Sequence, residues 1–485
     1  MEKVTKNSIA KNIIHLFYST ALSSILNAAA LIVLASYLQS YYYGMFSVVL
    51  AIAMIMGYFT DAGLSDIVLR EGSKKDVNPS ILISSYVKMR LGLLVVTFIC
   101  GFCFIHISHS GNRELIQTAY FLVIPMVTGV ALQSIGTTYF QLIEKMQYFG
   151  LIRIISSGCL VLTLTIGMLF RFNPVIICAL YGLSYLAAGV IGVYLVSKNI
   201  RISLNSPFHR GLLQNLGSFT LGGLLFVLLP QLGPLVLEKT ITLKEVGLFA
   251  VAYRIPQALQ QIPFIVAGAY YPVLFRSFNN NLLDDHLKYN ISLIKIIALV
   301  GMAMTIPLYH LSHFVIDLLF GVKWLEAVFP LKILSFMLTL QAINIALADG
   351  LTTRALQTYR TAVQSFAVIC GVFLYLFFSR SYGVTGAAMA GVVIEGISLL
   401  GFWLCIPNRW IIAKKAIIPY LSFFIMCIST TGFFLDSLPV VAVILNFALL
   451  SFMLLIDKET MEKVNGYMKM IGMKQRWKSK KSQGV

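Results

Sequence analysis

Fourteen apolar runs, each close to the length of a bilayer crossing, take up most of this chain and constrain it more than any other feature. A crossing helix needs about 20 apolar residues. The runs cover residues 13–38, 45–64, 91–107, 115–140, 151–170, 175–197, 215–237, 248–274, 291–319, 331–351, 363–379, 386–406, 416–435 and 438–456. Of the 485 residues, 58% are hydrophobic and 12% charged. Soluble domains hold about 45–50% and about 25%. A soluble chain could not bury so much apolar surface. A cytosolic enzyme, a secreted disulfide scaffold and a disordered chain are therefore excluded. The expected fold is all-α and polytopic, with about 14 transmembrane helices.

The positions of the charges set the expected orientation. There are 37 Lys and Arg against 19 Asp and Glu, a net charge of +18. In a soluble protein such an excess suggests nucleic acid. Here the charges lie in short loops, where they orient the chain and give no sign of a nucleic-acid partner. If the runs alternate across the membrane, one side carries 29 of the basic residues and the other only 6. That asymmetry places both termini in the cytoplasm, and an odd number of spans would destroy it. The residues Met1 to Asn12 are basic and polar. The apolar run after them exceeds a signal-peptide core and meets no small-residue cleavage site, so it reads as a retained first helix.

Outer loops of about 2 to 10 residues leave no room for an outer catalytic domain. The inner loops are little larger, and no G-x-x-x-x-G-K-[ST] occurs, so the chain hydrolyses no ATP. The seven cysteines all lie in apolar runs. Cys100 and Cys103 share a helix face, a spacing open to a metal or redox role. With no histidine or second C-x-x-C in support they read as packing residues, and no metal or cofactor is expected. The tail from Asp457 to Val485 carries 8 Lys and Arg. It reads as lying on anionic lipid with Trp477 as an interfacial anchor, the other use being a protein partner.

An internal repeat organises the runs. Gly44, Phe46, Val48 and Ile52 match Gly247, Phe249, Val251 and Ile255 at a constant offset of 203. Thr137, Thr138 and Lys145 recur as Thr352, Thr353 and Arg360 at offset 215. Two six-helix lobes follow, over residues 1–200 and 201–410. Two additional helices at 411–456 and the basic tail at 457–485 complete the chain. Six spans per half is an even number, so the lobes are parallel, an arrangement in which carriers bind substrate between halves and rock.

The segments that carry the repeat, with several others, resemble a known family. They are Leu34-Ala-Ser-Tyr-Leu38, Tyr43-Gly-Met-Phe46, Asp61-Ala-Gly-Leu64, Arg70-Glu-Gly72, Glu245-Val-Gly-Leu-Phe-Ala250, Phe320-Gly321, Pro330-Leu-Lys-Ile-Leu334 and Gly383-Val-Thr-Gly-Ala-Ala388. The chain resembles the Wzx-type polysaccharide export proteins, which are lipid-linked oligosaccharide flippases of the multidrug/oligosaccharidyl-lipid/polysaccharide (MOP) exporter superfamily. The likeness runs from about residue 8 to 456. Gln39 stands where the family usually has Gly after the first helix. The resemblance implies a MATE-like fold in the bacterial cytoplasmic membrane. It also implies flipping of an undecaprenyl-diphosphate-linked glycan from the inner to the outer leaflet, alongside other polysaccharide assembly proteins.

An ionisable group inside a span costs at least about 2.5–3.5 kcal/mol at the centre, so each needs a reason. Arg254 lies in the eighth run, which also holds Gln257, Gln261 and three prolines. Such a polar, broken helix suits a water-filled cavity. There Arg254 would pair with a lipid diphosphate or with acidic sugars, its planar fork matching phosphate oxygens. The other use is snorkelling. Lys332, near the outer surface, and Lys88 and Arg90, at the inner mouth of the third run, are further headgroup candidates or ordinary interfacial charges. Glu395 is the deepest acid and the candidate for proton or sodium coupling, the alternative being a structural pair with Arg254. Asp349 and Asp61 are lesser coupling candidates that also read as helix-end caps. His310 and His313 read as interfacial. A cation-coupled multidrug exporter of the same superfamily is the competing function. A membrane polymerase or ligase is disfavoured by the short outer loops.

Overall fold

The computed structural model describes residues 6–74, 77–213, 216–457 and 461. The expected basic tail, apart from Asp457 and Met461, lies outside the described residues, as do the first five.

Among the described residues eleven helical stretches are long and apolar enough to cross a membrane; two of them break at a kink, and with α7 they give the fourteen helices named below. The chain enters as one 54-residue helical stretch, Lys6–Phe59, broken at Gln39. It divides into α1 (6–38) and α2 (40–59). Gln39 has φ 62° and ψ 172°, a combination that residues other than glycine rarely adopt. This is the position where the resembled family usually carries glycine. Then come α3 (Pro79–Ser108), α4 (Arg113–Leu142), α5 (Met146–Leu169), α6 (Pro174–Ser197) and α7 (Leu216–Leu237). The series continues with α8 (Leu243–Asn279), α9 (Leu283–His310) and α10 (Val322–Thr352). A second long stretch, Gln357–Cys405, breaks at Gly383 with φ 56°, giving α11 (357–382) and α12 (384–405). The last two are α13 (Arg409–Phe434) and α14 (Pro439–Ile456).

Local sequence sets the helix boundaries. Asn78, Asn112 and Asn173 each accept a backbone N–H from the first turn of α3, α4 and α6, satisfying donors that the helix cannot. Pro79 and Pro174 stand at the starts of α3 and α6, where a missing N–H costs nothing. α9 ends at His310 and a separate short helix, Ser312–Phe320, follows. The ninth apolar run is thus a crossing helix plus a short segment. α3 begins well before its apolar run. Its first turns carry Ser80, Ser84 and Ser85, whose hydroxyls bond the 201–209 loop.

The residues group into two compact units. The first holds the described residues of 6–258, 316–327 and 364–390. Within it α4 and α6 pack on glycines: a Cβ at Gly189 would stand 2.6 Å from the Gly129 carbonyl oxygen. Small residues allow the close approach that drives helix association in lipid. The second unit holds, among the described residues, 259–315, 328–363, 391–457 and 461. α9 is its core helix, with Ile294, Ile297, Ala298 and Met302 fully buried alongside Ala342, Ile343 and Ala346 of α10. α13 and α14 join it through a polar knot. Asn446 donates to Thr431 (2.8 Å), and both contact His310 Nε2 (3.2 and 3.3 Å).

Candidate functional site

Arg254 lies eleven residues past the start of α8, about 16 Å along it at 1.5 Å per residue. Its Nη1 donates to Gln257 Oε1 at 2.8 Å, one turn on. No carboxylate pairs with it among the described residues. Instead its charge faces three tyrosines of the same unit, Tyr43 of α2 and Tyr181 and Tyr185 of α6. The Tyr43 hydroxyl is fully buried and has no partner of hydrogen-bonding geometry. Aromatic contacts fix these rings: Tyr43 lies tilted against Phe46 (5.8 Å) and edge-on to Trp324 (5.8 Å), and Phe46 meets Tyr181 edge-on at 5.0 Å. The result is a guanidinium whose charge acts on three buried tyrosines and which lacks a counter-ion among the described residues. That arrangement can take an anion bidentately and offer ring faces to a bulky, partly polar group.

The other basic candidates of this unit are committed. Arg90, 1% exposed, pairs with Asp61 and donates to Tyr86 Oη (2.8 Å) and Thr60 Oγ1 (3.1 Å). Asp61 also accepts from Ser65 Oγ at 2.7 Å and Tyr86 Oη at 3.0 Å. Lys88 donates to the Ser206 carbonyl oxygen. Removing one member of a buried pair strands the other, at about 3–5 kcal/mol. Asp61→Asn should therefore lower the thermal unfolding temperature of the detergent-purified protein markedly, and Asp61→Asn with Arg90→Met should recover most of it. An unaltered unfolding temperature for the single variant would remove the structural role.

In the second unit Glu395 of α12 is 8% exposed. Gln341 Nε2 donates to its Oε1 at 2.8 Å and Asn344 Nδ2 to its Oε2 at 2.9 Å, both from α10. Its partners within the unit are amides, not a cation. Both amide oxygens, Gln341 Oε1 and Asn344 Oδ1, are buried without a donor. A carboxyl so placed can bind a proton or a small cation without breaking an ion pair. Asp349 of α10 lies 3.7 Å from Arg360. Lys332 pairs with Asp436 at 3.1 Å and lies over the Tyr309 ring. Gln261 is exposed on α8.

Several of these partners were not singled out from the sequence. Tyr181 and Tyr185 are four apart on α6, and Gln341 and Asn344 three apart on α10, so each pair shares a helix face. That spacing was the available signal. His109 and Glu238, both about 95% buried and 2.7 Å apart, join the ends of α3 and α7; nothing in the local pattern links them.

A family described as "Polysaccharide biosynthesis protein" matches residues 9–278. No curated protein sequence matches the chain. Among solved structures the chain is similar to the lipid II flippase MurJ in an inward closed conformation (14% identity, TM-score 0.67, covering 92% of this chain and 99% of that one). It is similar also to the inward-facing conformation of a multidrug resistance MATE family transporter of the MOP superfamily (16%, 0.69, 83% and 98%). A third is a MOP superfamily transporter from Pyrococcus furiosus (16%, 0.58, 84% and 96%).

Proposed function

The chain belongs to the polysaccharide biosynthesis protein family, and from that premise we propose that it flips an undecaprenyl-diphosphate-linked oligosaccharide, or a related polysaccharide precursor, across the bacterial cytoplasmic membrane by alternating access. The fold it shares with a lipid II flippase and a MATE transporter supports a multi-pass transporter. The observation that carries the substrate reading is Arg254. It is a guanidinium within α8 that has no carboxylate partner among the described residues and whose charge acts on Tyr43, Tyr181 and Tyr185. A cationic drug would be repelled there, whereas a lipid diphosphate supplies the missing anion. Glu395, buried between two amides, is the residue we assign to proton or sodium coupling. The 29-to-6 division of basic residues supports termini in the cytoplasm, with the basic tail on the anionic inner leaflet.

Deleting the gene tests the reading. The expected result is loss of surface polysaccharide with lipid-linked glycan accumulating on the cytoplasmic side. Unchanged surface glycan with increased drug sensitivity would favour a cation-coupled multidrug exporter instead.

A further inference from the structure

Arg153 is a second arginine of the first unit that lies in a long apolar helix with no carboxylate partner among the described residues. It stands seven residues past the start of α5, about 10 Å along it. Its Nη1 donates to Thr20 Oγ1 of α1 at 3.1 Å, and its guanidinium lies over the Phe149 ring at 5.4 Å. Among the described residues its Nε and Nη2 have no hydrogen-bond partner. The surrounding seam of α1 and α5 is hydroxylic. Ser23 Oγ donates to the Arg153 carbonyl oxygen (3.3 Å), and Ser157 Oγ donates to Ser23 Oγ (2.8 Å). The side chain is half-buried, withdrawn from bulk water yet not sealed off.

A charge within a span is costly and calls for a partner. Arg90, Lys295 and Lys332 have Asp61, Asp457 and Asp436. Arg153 has a neutral hydroxyl and a ring. The edge it leaves free, Nε with Nη2, is the fork that grips a phosphate by two parallel hydrogen bonds.

We propose that Arg153 is an anion-binding residue that takes the phosphate of the lipid headgroup in the cytoplasmic half of the membrane, before Arg254 takes it. This rests on the flippase reading above. Two arginines with no counter-ion among the described residues match the two negative charges of a diphosphate diester. They sit at successive depths, so the headgroup keeps a cationic partner as it moves inward from the surface.

The test uses the detergent-purified full chain and inorganic pyrophosphate, with binding read by calorimetry. Arg153→Gln should weaken pyrophosphate at least fivefold, and Arg153→Lys should recover part of the loss. Thr20→Val, which removes the interhelical contact but keeps the charge, should bind as the wild type does. Added polyprenyl diphosphate should displace the pyrophosphate. If Arg153→Gln and Thr20→Val lower the unfolding temperature alike and leave pyrophosphate affinity unchanged, Arg153 is a helix clamp and the proposal fails. If only Arg254→Gln weakens binding, the proposal fails while the flippase reading stands. A wild type with no pyrophosphate affinity overturns both. Binding that polyprenyl diphosphate does not displace would make this a site for a free anion and overturn the headgroup assignment.

Discussion

Replacing Gly247 with alanine is expected to cut glycan export at least tenfold, and Gly44→Ala to do the same. The two glycines occupy matching places in the sequence repeat, 203 residues apart. In the structure they meet. A Cβ at Gly247 would overlap the Ser40 carbonyl oxygen, and one at Gly44 would overlap the Leu243 carbonyl oxygen. The backbone nitrogens are also close, Gly44 N at 3.1 Å from a Cβ on Gly247 and Gly247 N at 2.9 Å from one on Gly44. The first turns of α2 and α8 therefore cross backbone to backbone, which no side chain permits. Carbonyl oxygens of a helix cannot swing aside as a flexible side chain can, so the helices themselves must part. Overpacking of this kind costs about 1–3 kcal/mol, and it acts where α8 delivers Arg254 to Tyr43. Gly158→Ala on α5 is the control, because a Cβ there meets nothing within 4 Å. Export should be measured against the amount of protein in the membrane. Normal export by both glycine variants would show that the crossing opens freely and has no part in transport.

The glycine pair illustrates what the sequence could and could not convey. The matching residues and their offset were visible in it. That the two copies touch each other was not, because contact between residues 203 apart depends on how helices pack. The crossing helices were legible for a simple reason. In lipid a backbone must satisfy its own hydrogen bonds, so each apolar run of sufficient length becomes a helix. Their ends were less legible. The start of α3 hides among Ser80, Ser84 and Ser85, polar residues made compatible with burial by the 201–209 loop. Gln39 stood out as a departure from the family's usual glycine, but its φ of 62° has no signature in the residue itself. Charges behaved similarly. Arg254 was conspicuous in an apolar run, whereas the tyrosines facing it come from α2 and α6. Arg90 read as a headgroup candidate or interfacial charge and Asp61 as a coupling candidate or helix-end cap, yet the two, 29 residues apart, form one network. Arg153 fell at the edge of a loop by apolar counting, yet lies seven residues inside α5.

Arg254→Ala is expected to abolish glycan export while leaving the protein's level in the membrane close to that of the wild type. The level should hold because the side-chain hydrogen bond of good geometry that Arg254 makes among the described residues is to Gln257 on its own helix. Its loss strands no carboxylate and breaks no interhelical ion pair. Export should fail because the positive charge is what the headgroup would meet. Hydrogen bonds to charged groups contribute about 1.5–3 kcal/mol each, so losing a bidentate pair corresponds to at least a hundredfold. Arg254→Lys should retain part of the activity, since it keeps the charge and loses the planar fork. Gln257→Ala, which frees Nη1 but leaves the charge, should reduce export far less than Arg254→Ala. A purely snorkelling arginine predicts a different pattern: the alanine variant would export normally, because α8 is held by the packing of Val246, Phe249 and Val251, all fully buried. A structural role predicts a third pattern, a fall in membrane level that tracks the loss of export. Glu395→Gln separates coupling from binding. Its amide can still hydrogen-bond Gln341 and Asn344, so the protein level should hold. If Glu395 binds the coupling ion, export should become insensitive to the proton or sodium gradient while pyrophosphate still binds.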